Sequence, residues 1–382
     1  MNIDHQKKVL LTGGRAPVTL ELARLFAHAG QEVYVADSFS SQLTKASNGV
    51  KEAFTVHSPV QHFTSFIADL LKIVQERQID LILPTCEEVF YVAKGKSVLE
   101  KYCNVFCPDL TYLLKLHQKY EFIKLVAEKG LLAPRSVFIT SKEELPSAWE
   151  KIGEEAVLKP VFSRFGSHIT FFDKTSIPKL NFPNGEYVVQ KKISGQPICS
   201  YSVLLEGEIV AHTQYKVEFS AGNSAAIHFR HIEHSKIENW IRTFFDGEKV
   251  TGQFAFDFIE TEKGEIFPLE CNPRATSGVH LFAGRALPSS FLGEKRELLK
   301  PSLQTNRMIA LAMLIYGWRN KGLWKWLKAM HQSKDVIWSW QDKKPFFYQF
   351  YSYIAMLKLS RTIRKSPLEA TTFDIEWNGD DK

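Results

Sequence analysis

Cysteine is scarce in this chain and long apolar runs are absent. Five cysteines in 382 residues, Cys86, Cys103, Cys107, Cys199 and Cys271, are odd in number and scattered, which fits reduced thiols better than a disulfide framework. Cys103 and Cys107 have no second cysteine pair nearby, so the four ligands of a zinc site are not expected there. No stretch approaches the roughly 20 apolar residues that a membrane-spanning helix needs. Met1 to Lys8 is polar and lacks the apolar core of a secretion signal, so a cytoplasmic location is expected. Neither sign of charge dominates. The chain carries 48 Lys and Arg against 42 Asp and Glu, and the excess of +6 is too small by itself to imply nucleic acid. Small anionic ligands remain compatible with it. No low-complexity tract argues for disorder, so the chain is expected to fold throughout.

The composition, 45% hydrophobic and 24% charged, is that of a folded protein, and the length predicts two or three packed units. Apolar runs at Lys8–Leu11, Glu32–Ala36, Asp80–Leu83 and Val105–Phe106 alternate with helical stretches such as 18–29 and 63–77. This alternation predicts a parallel sheet covered by helices over about residues 1–110. Gly13-Gly14 follows the first run, but Gly-x-Gly-x-x-Gly is missing, so a tight strand-to-helix turn is expected rather than a dinucleotide site. A helix is predicted over 112–129, followed by strands at 156–159, 169–172, 187–191, 201–205 and 208–213. Residues 111–294 therefore read as a second, α+β unit built on mainly antiparallel sheet. The remainder, 295–382, reads as a basic, aromatic, mostly helical extension.

The chemistry concentrates in one predicted hairpin. Phe254–Glu260 and Ile266–Glu270 flank Thr261-Glu262-Lys263-Gly264, a polar turn that closes two antiparallel strands. Asp257 and Glu270 then face one another, and Asn272 falls on the same side as Glu270. Three oxygen donors on rigid strands, set among Phe254, Phe256, Phe258, Phe267 and Leu269, suit a hard cation such as Mg2+. For an isolated hairpin, an ordinary cross-strand arrangement of two acids explains the pair equally well. The neighbours favour the metal. Cys271-Asn272-Pro273-Arg274 adds a guanidinium beside the acids. Lys159-Pro160 ends an upstream strand, and Phe162-Ser163-Arg164-Phe165-Gly166-Ser167-His168 supplies small residues whose backbone N–H groups can fold over phosphate.

In order and spacing, this set resembles the ATP-grasp superfamily, in the branch similar to carbamoyl-phosphate synthase large subunit and biotin carboxylase. The likeness covers residues 8–285. It rests on Phe256-Asp257-Phe258-Ile259 with Leu269-Glu270-Cys271-Asn272-Pro273-Arg274, on Leu158-Lys159-Pro160 with Ser163-Arg164-Phe165-Gly166, and on Gln190-Lys191-Lys192-Ile193-Ser194-Gly195. The resemblance implies a parallel-sheet pre-ATP-grasp domain followed by two α+β subdomains clasping ATP. It makes Asp257, Glu270 and Asn272 ligands of Mg2+, with two ions expected and Mn2+ able to substitute. It makes Lys119 and Lys159 phosphate contacts, Ser163 and Gly166 part of the covering loop, and Gln190, Lys191 and Ile193 the hinge that meets adenine. Arg274 steadies the transferred phosphoryl group. Many relatives carry a glutamate shortly after the hinge glycine, where this chain has Gln196-Pro197-Ile198-Cys199-Ser200.

The implied activity is ligation: ATP converts a carboxylate into an acyl phosphate, which an amine then attacks. Small-molecule acids and amines are the expected partners, and no nucleic acid is. Rival readings are a carbamoyl- or carboxyphosphate-forming enzyme and a nucleotide-binding regulator without turnover. Ser277, Gly278 and His280 are candidates for contacting the acid, beside the plainer reading of a helix start capped by Ser277. Arg15, Arg230 and Arg274 are candidates for a basic acceptor wall. His228, His231 and His234, at intervals of three, are open to metal, pocket-wall or packing readings. Six of eight tryptophans lie after Gly317, interleaved with Arg319, Lys321, Lys325 and Lys328. A helical cap, an interfacial membrane helix at the inner membrane face and single-strand stacking all fit this pattern. Asp374–Gly379 is expected to dock.

Overall fold

A computed structural model describes residues 6–163, 169–175, 177, 180–221, 225–282, 284, 286–294, 296–303, 305–318 and 322–379. The N-terminal unit is the expected parallel sheet. Strands β1 (Lys8–Thr12), β2 (Glu32–Asp37), β3 (Glu52–Thr55), β4 (Leu81–Leu83) and β5 (Asn104–Val105) lie in the order β3-β2-β1-β4-β5. Both faces of β1 are covered, which is why it reads as an unbroken apolar run. Val9 and Leu11 enter one core and Leu10 the other, as alternation along a strand requires. Helix α1 (Pro17–His28) follows β1, with proline in its first turn where no N–H partner is needed. Helix α2 (Phe63–Arg77) links β3 to β4, and α3 (Val89–Lys94) and α4 (Lys96–Leu99) link β4 to β5.

The strand order reverses at β1, so the loops after β1 and β4 open side by side at the carboxyl edge of the sheet. In an open α/β sheet, that edge is where ligands bind. Gly13 supplies the turn after β1 at φ +75°, and a Cβ there would stand 2.8 Å from Thr85 Oγ1.

Helices α5 (Leu110–His117) and α6 (Lys119–Glu128) lead into two antiparallel sheets. The smaller holds β6 (Ser136–Ile139), β7 (Ala156–Pro160), β8 (Thr170–Phe172) and β9 (Tyr187–Lys191) in the order β6-β9-β7-β8, backed by α7 (Leu145–Ile152). The larger begins with β10 (Gln196–Leu205), β11 (Glu208–Ala221), β12 (Ala225–Ile232), β13 (Gly252–Glu260) and β14 (Ile266–Asn272). Residues 192–195 are thus the link from one sheet to the other. Gly195 is required in that link, because a Cβ would fall 2.1 Å from the carbonyl oxygen of Glu260. Phe254, Phe256 and Phe258 bury their rings against α6 and α8 (Ser235–Phe244). The opposite face packs Tyr201, Val203 and Ala255 against Val9, Leu11 and Phe106 of the first sheet, so the two units share a core.

Past residue 294 the chain adds β15 (Asn306–Met308) and β16 (Lys334–Asp335) to the far edge of the larger sheet. Helices Leu323–Gln332 and Lys344–Ile363 follow that edge. The end of the chain docks as expected. Asp374 meets Arg15 at 2.6 Å, and the Trp377 ring lies 5.0 Å from that of Tyr91. Among the described residues, no helix is long and apolar enough to cross a membrane.

Candidate active site

The hairpin forms as its sequence predicts, and β13 and β14 pair with Asp257 directly opposite Glu270. A bulge follows Asp257, so that Phe258 pairs with Pro268. Asn272 donates to Glu270 Oε1 at 3.5 Å from two residues along the same strand face. On the other side Cys199 is the cross-strand neighbour of Asp257, and Tyr215 is that of Cys199. All three oxygen donors are only half-buried, so they remain in reach of small ligands.

Charge is unevenly satisfied here. Burial and the like charge of Glu270 push the Asp257 carboxyl up from its ordinary range. Burial pushes Glu270 up as well, but Lys119 and Lys159 outweigh it and hold that carboxyl below its usual value. The Lys119 ammonium stands 3.4 Å from Glu270 Oε2 and donates to the Ser163 carbonyl at 3.1 Å. Lys159 is buried at the end of β7, where burial and the neighbouring Lys119 charge lower its pKa to about 8. Two close carboxylates, one of them held up by burial and the other's charge, suit a divalent cation, and two buried ammonium groups sharing one carboxylate suit phosphate oxygens. The donor set therefore fits Mg2+ and a nucleotide phosphate.

Arg274 extends the site toward the first sheet. Its guanidinium donates to Glu87 Oε1 at 2.8 Å and to Asn272 Oδ1 at 3.4 Å. Glu87 belongs to the loop after β4, so this ion pair joins the β13–β14 hairpin to the carboxyl edge of the parallel sheet. Glu88, beside it, braces that edge: its Oε1 accepts from Thr12 Oγ1 at 2.6 Å and from the backbone N–H groups of Thr85 and Cys86. Sequence reading missed Glu87, Glu88, Cys199 and Tyr215. The available signal was an acidic pair just past the apolar run Leu81–Leu83.

The remaining candidates divide. Gln190 is buried, accepts from Lys159 Nζ at 2.9 Å and donates to Ser136 Oγ at 2.9 Å, so its side chain positions the lysine. Lys191 pairs with Glu154 at 2.9 Å, and Ile193 is half-buried in the link between sheets. Gly166 lies outside the described residues, as do Arg164, Phe165, Ser167 and His168. Thr276, not Ser277, precedes the short turn Ser277–Leu281. Gly278 is packed against Tyr201, while His280 is buried with its ring on Phe229 and Nδ1 3.1 Å from Glu21. Neither opens to the cleft. The three arginines do not form one wall. Arg15 is buried between Asp37 and Asp374, Arg230 pairs with Glu218 at the surface, and of the three Arg274 stands at the β13–β14 hairpin.

The three histidines separate as well. His228 contacts Ser333, His231 contacts Thr213, and His234 caps α8 while meeting Glu260. No group of three potential metal ligands of the His, Cys, Asp or Glu types occurs among the described residues. Another histidine is informative. His212 lies buried between Ser202 Oγ at 2.8 Å and the Gln214 amide at 2.7 Å, and burial lowers its pKa to about 3. Between that value and the unfolded value near 6.5, only the unfolded chain takes up the proton, so acidification destabilises the fold. The stability difference between wild type and His212→Gln should therefore shrink by up to about 1.4 kcal/mol per pH unit from about pH 6 to 4. Urea unfolding at several pH values reads this slope, and a constant difference would refute it.

No protein-family model matches the chain, and no curated protein matches its sequence. Solved structures do. The chain is similar to N5-carboxyaminoimidazole synthetase from Staphylococcus aureus at 13% identity and TM-score 0.62, over 80% of this chain and 83% of that one. It is similar to L-amino acid ligase from Bacillus licheniformis at 12% identity and TM-score 0.57, over 75% of this chain and 74% of that one. It is also similar to the biotin carboxylase domain of 2-oxoglutarate carboxylase from Hydrogenobacter thermophilus, described in complex with MgADP, ADP and bicarbonate. That match has 15% identity and TM-score 0.57, over 72% of this chain and 65% of that one. At such identities the likeness establishes architecture. The chain has the ATP-grasp fold, a parallel-sheet unit followed by two α+β lobes, as the motifs implied.

Proposed function

We propose that this chain is an ATP-dependent carbon–nitrogen ligase that activates a carboxylate as an acyl phosphate and joins it to an amine. The observation that carries the reading is the convergence of Asp257, Glu270 and Asn272 with Lys119, Lys159 and Arg274 on one cleft. The three solved structures support it through their names and, in one case, bound MgADP.

In this reading residues 111–294 grip the nucleotide, residues 1–110 supply the other wall, and 295–382 complete the larger sheet. Asp257, Glu270 and Asn272 hold Mg2+, or Mn2+ in its place. Glu270, which neighbours both of the other donors, would serve both ions where two bind. When bound, the ions neutralise charge on the transferring phosphoryl group. Lys119 and Lys159 orient the phosphates, and the Gln190 carboxamide fixes the Lys159 ammonium. The backbone of residues 190–193 meets the adenine, and Ser163 lies beside the phosphates. Arg274 steadies the acyl phosphate oxygens and is itself held by Glu87. The amine attacks the acyl carbon and phosphate leaves. Positioning and electrostatics carry the rate, so no nucleophilic side chain is needed.

Phosphate release from Mg-ATP, measured across a panel of carboxylic acids with and without amines, tests the proposal. An acid-dependent signal that needs an amine, with a condensed product by mass spectrometry, is the expected result. ATP binding without acid-dependent release, or release with bicarbonate alone, would overturn it.

A further inference from the structure

The helix Lys344–Ile363 buries Pro345 and Met356 and packs Leu359 and Ile363 inward, yet it leaves an apolar stripe on its outer side. Gln349 and Ser360 face inward and are 6% exposed each, whereas Phe347 is 65% exposed and Phe350, Tyr351 and Ile354 are exposed with it. Positions 347, 350, 351 and 354 form one helical stripe, and its continuation carries exposed Lys358 and Arg361. The helix Leu323–Gln332 repeats the pattern. Trp324 is 84% exposed beside Leu323 and Leu327, flanked by exposed Lys325 and Lys328, while Ala329 faces inward.

These elements touch. The Trp326 indole N–H donates to the Met313 carbonyl at 2.9 Å, and burial together with nearby Tyr316 raises the pKa of the Tyr353 phenol, so residues 313–317 neighbour both helices. Leu314, Tyr316 and Trp318 add further exposed apolar surface there. Lys343 lies over the exposed Trp340 ring, 4.9 Å from its centroid. Residues 318–365 hold eleven Lys and Arg against two acids, more than the net +6 of the entire chain. One of those acids, Asp342, is consumed by buried Arg24.

We propose that this face docks on the surface of an anionic bilayer, with Trp324, Phe347, Tyr351 and their aliphatic neighbours in the headgroup boundary and the lysines on lipid phosphates. Aromatic and aliphatic side chains bracketed by flexible cations match such an interface. A second copy would bring the same positive charge against itself. Single-stranded nucleic acid would leave Leu314, Leu323, Leu327 and Ile354 without a partner, since bases stack on rings. The inference concerns location and does not rest on the ligase reading.

The full chain, mixed with phosphatidylcholine vesicles or with vesicles containing added phosphatidylglycerol, should co-sediment only with the anionic ones at low salt and be released at high salt. The variant Trp324→Ser/Phe347→Ser/Tyr351→Ser should bind at least about tenfold more weakly. Lys343→Glu/Lys344→Glu should also lose about tenfold at low salt. Both variants change exposed residues, and an unaltered melting temperature checks their folding. Failure to sediment with anionic vesicles overturns the proposal. So does sedimentation unchanged by both variants, a dimer in vesicle-free buffer that the triple variant abolishes, or tighter binding to a single-stranded oligonucleotide than to vesicles. None of these readouts involves ATP, so failure here leaves the ligase reading standing.

Discussion

Glu270→Gln is expected to lower Mg-ATP turnover at least about 10²-fold while leaving the chain folded. The substitution keeps shape and removes charge at a single point. Glu270 is the carboxylate on which the site converges: Asp257 opposes it across the hairpin, Asn272 bonds to it, and Lys119 stands 3.4 Å away. Without its charge, the two lysines lose their counter-ion and, on the proposed reading, the cation loses a ligand. Folding should tolerate the change, since the residue is half-exposed and the hairpin is held by its own ladder and the phenylalanine cluster behind it. Initial rates of phosphate release against Mg2+ concentration, with a thermal melt as control, give the answer. A variant with native turnover would remove Glu270 from the metal site.

The second large effect concerns stability. Arg15→Met should destabilise the fold by about 3–5 kcal/mol, because it strands two buried carboxylates. Arg15 donates to Asp37 Oδ1 at 3.0 Å and to both carboxylate oxygens of Asp374, at 2.6 and 2.9 Å. Burial opposes the charged form of Asp374, but the hydrogen bond and charge of Arg15 prevail and hold its pKa below the ordinary value. A carboxylate lowered in this way stabilises the fold fully above its unfolded pKa, and that contribution is lost as pH falls through the folded value. Loss of Arg15 should therefore lower the urea midpoint at neutral pH and release residues 367–379 to protease. Adding Asp37→Asn and Asp374→Asn should restore part of the loss, because the stranded charges go with them. An Arg15→Met protein of native stability but altered acid or amine dependence would return Arg15 to the substrate wall.

Much of the active-site hairpin was legible because its determinants are local. Alternating phenylalanines set the buried face of β13, the Thr261–Gly264 turn sets where the chain reverses, and period-two alternation then brings Asp257, Glu270 and Asn272 to one side. The parallel sheet was legible for a similar reason, since a strand buried on both faces shows as a bare apolar run. Gln190 shows where this stops. Its place in the motif suggested an adenine hinge acting mainly through backbone groups and said nothing of its side chain, which only the packing of β7 on β9 turns to Lys159.

Pairs distant in sequence belong to the tertiary structure alone. Arg274 and Glu87 are 187 residues apart, and Arg15 and Asp374 are 359 apart, so no local pattern could match them. Nor does helical periodicity say which way a helix faces. The stripe Phe347, Phe350, Tyr351 and Ile354 would read the same whether it lined a core or met the surroundings, and only its packing neighbours turned it outward. The sequence by itself determined the strands, the turns and the oxygen donors of the hairpin, because these depend on residues close along the chain. Tertiary structure decided which charges are paired, which histidines are merely packed and which aromatic face is left exposed, because those depend on what the folded chain brings alongside.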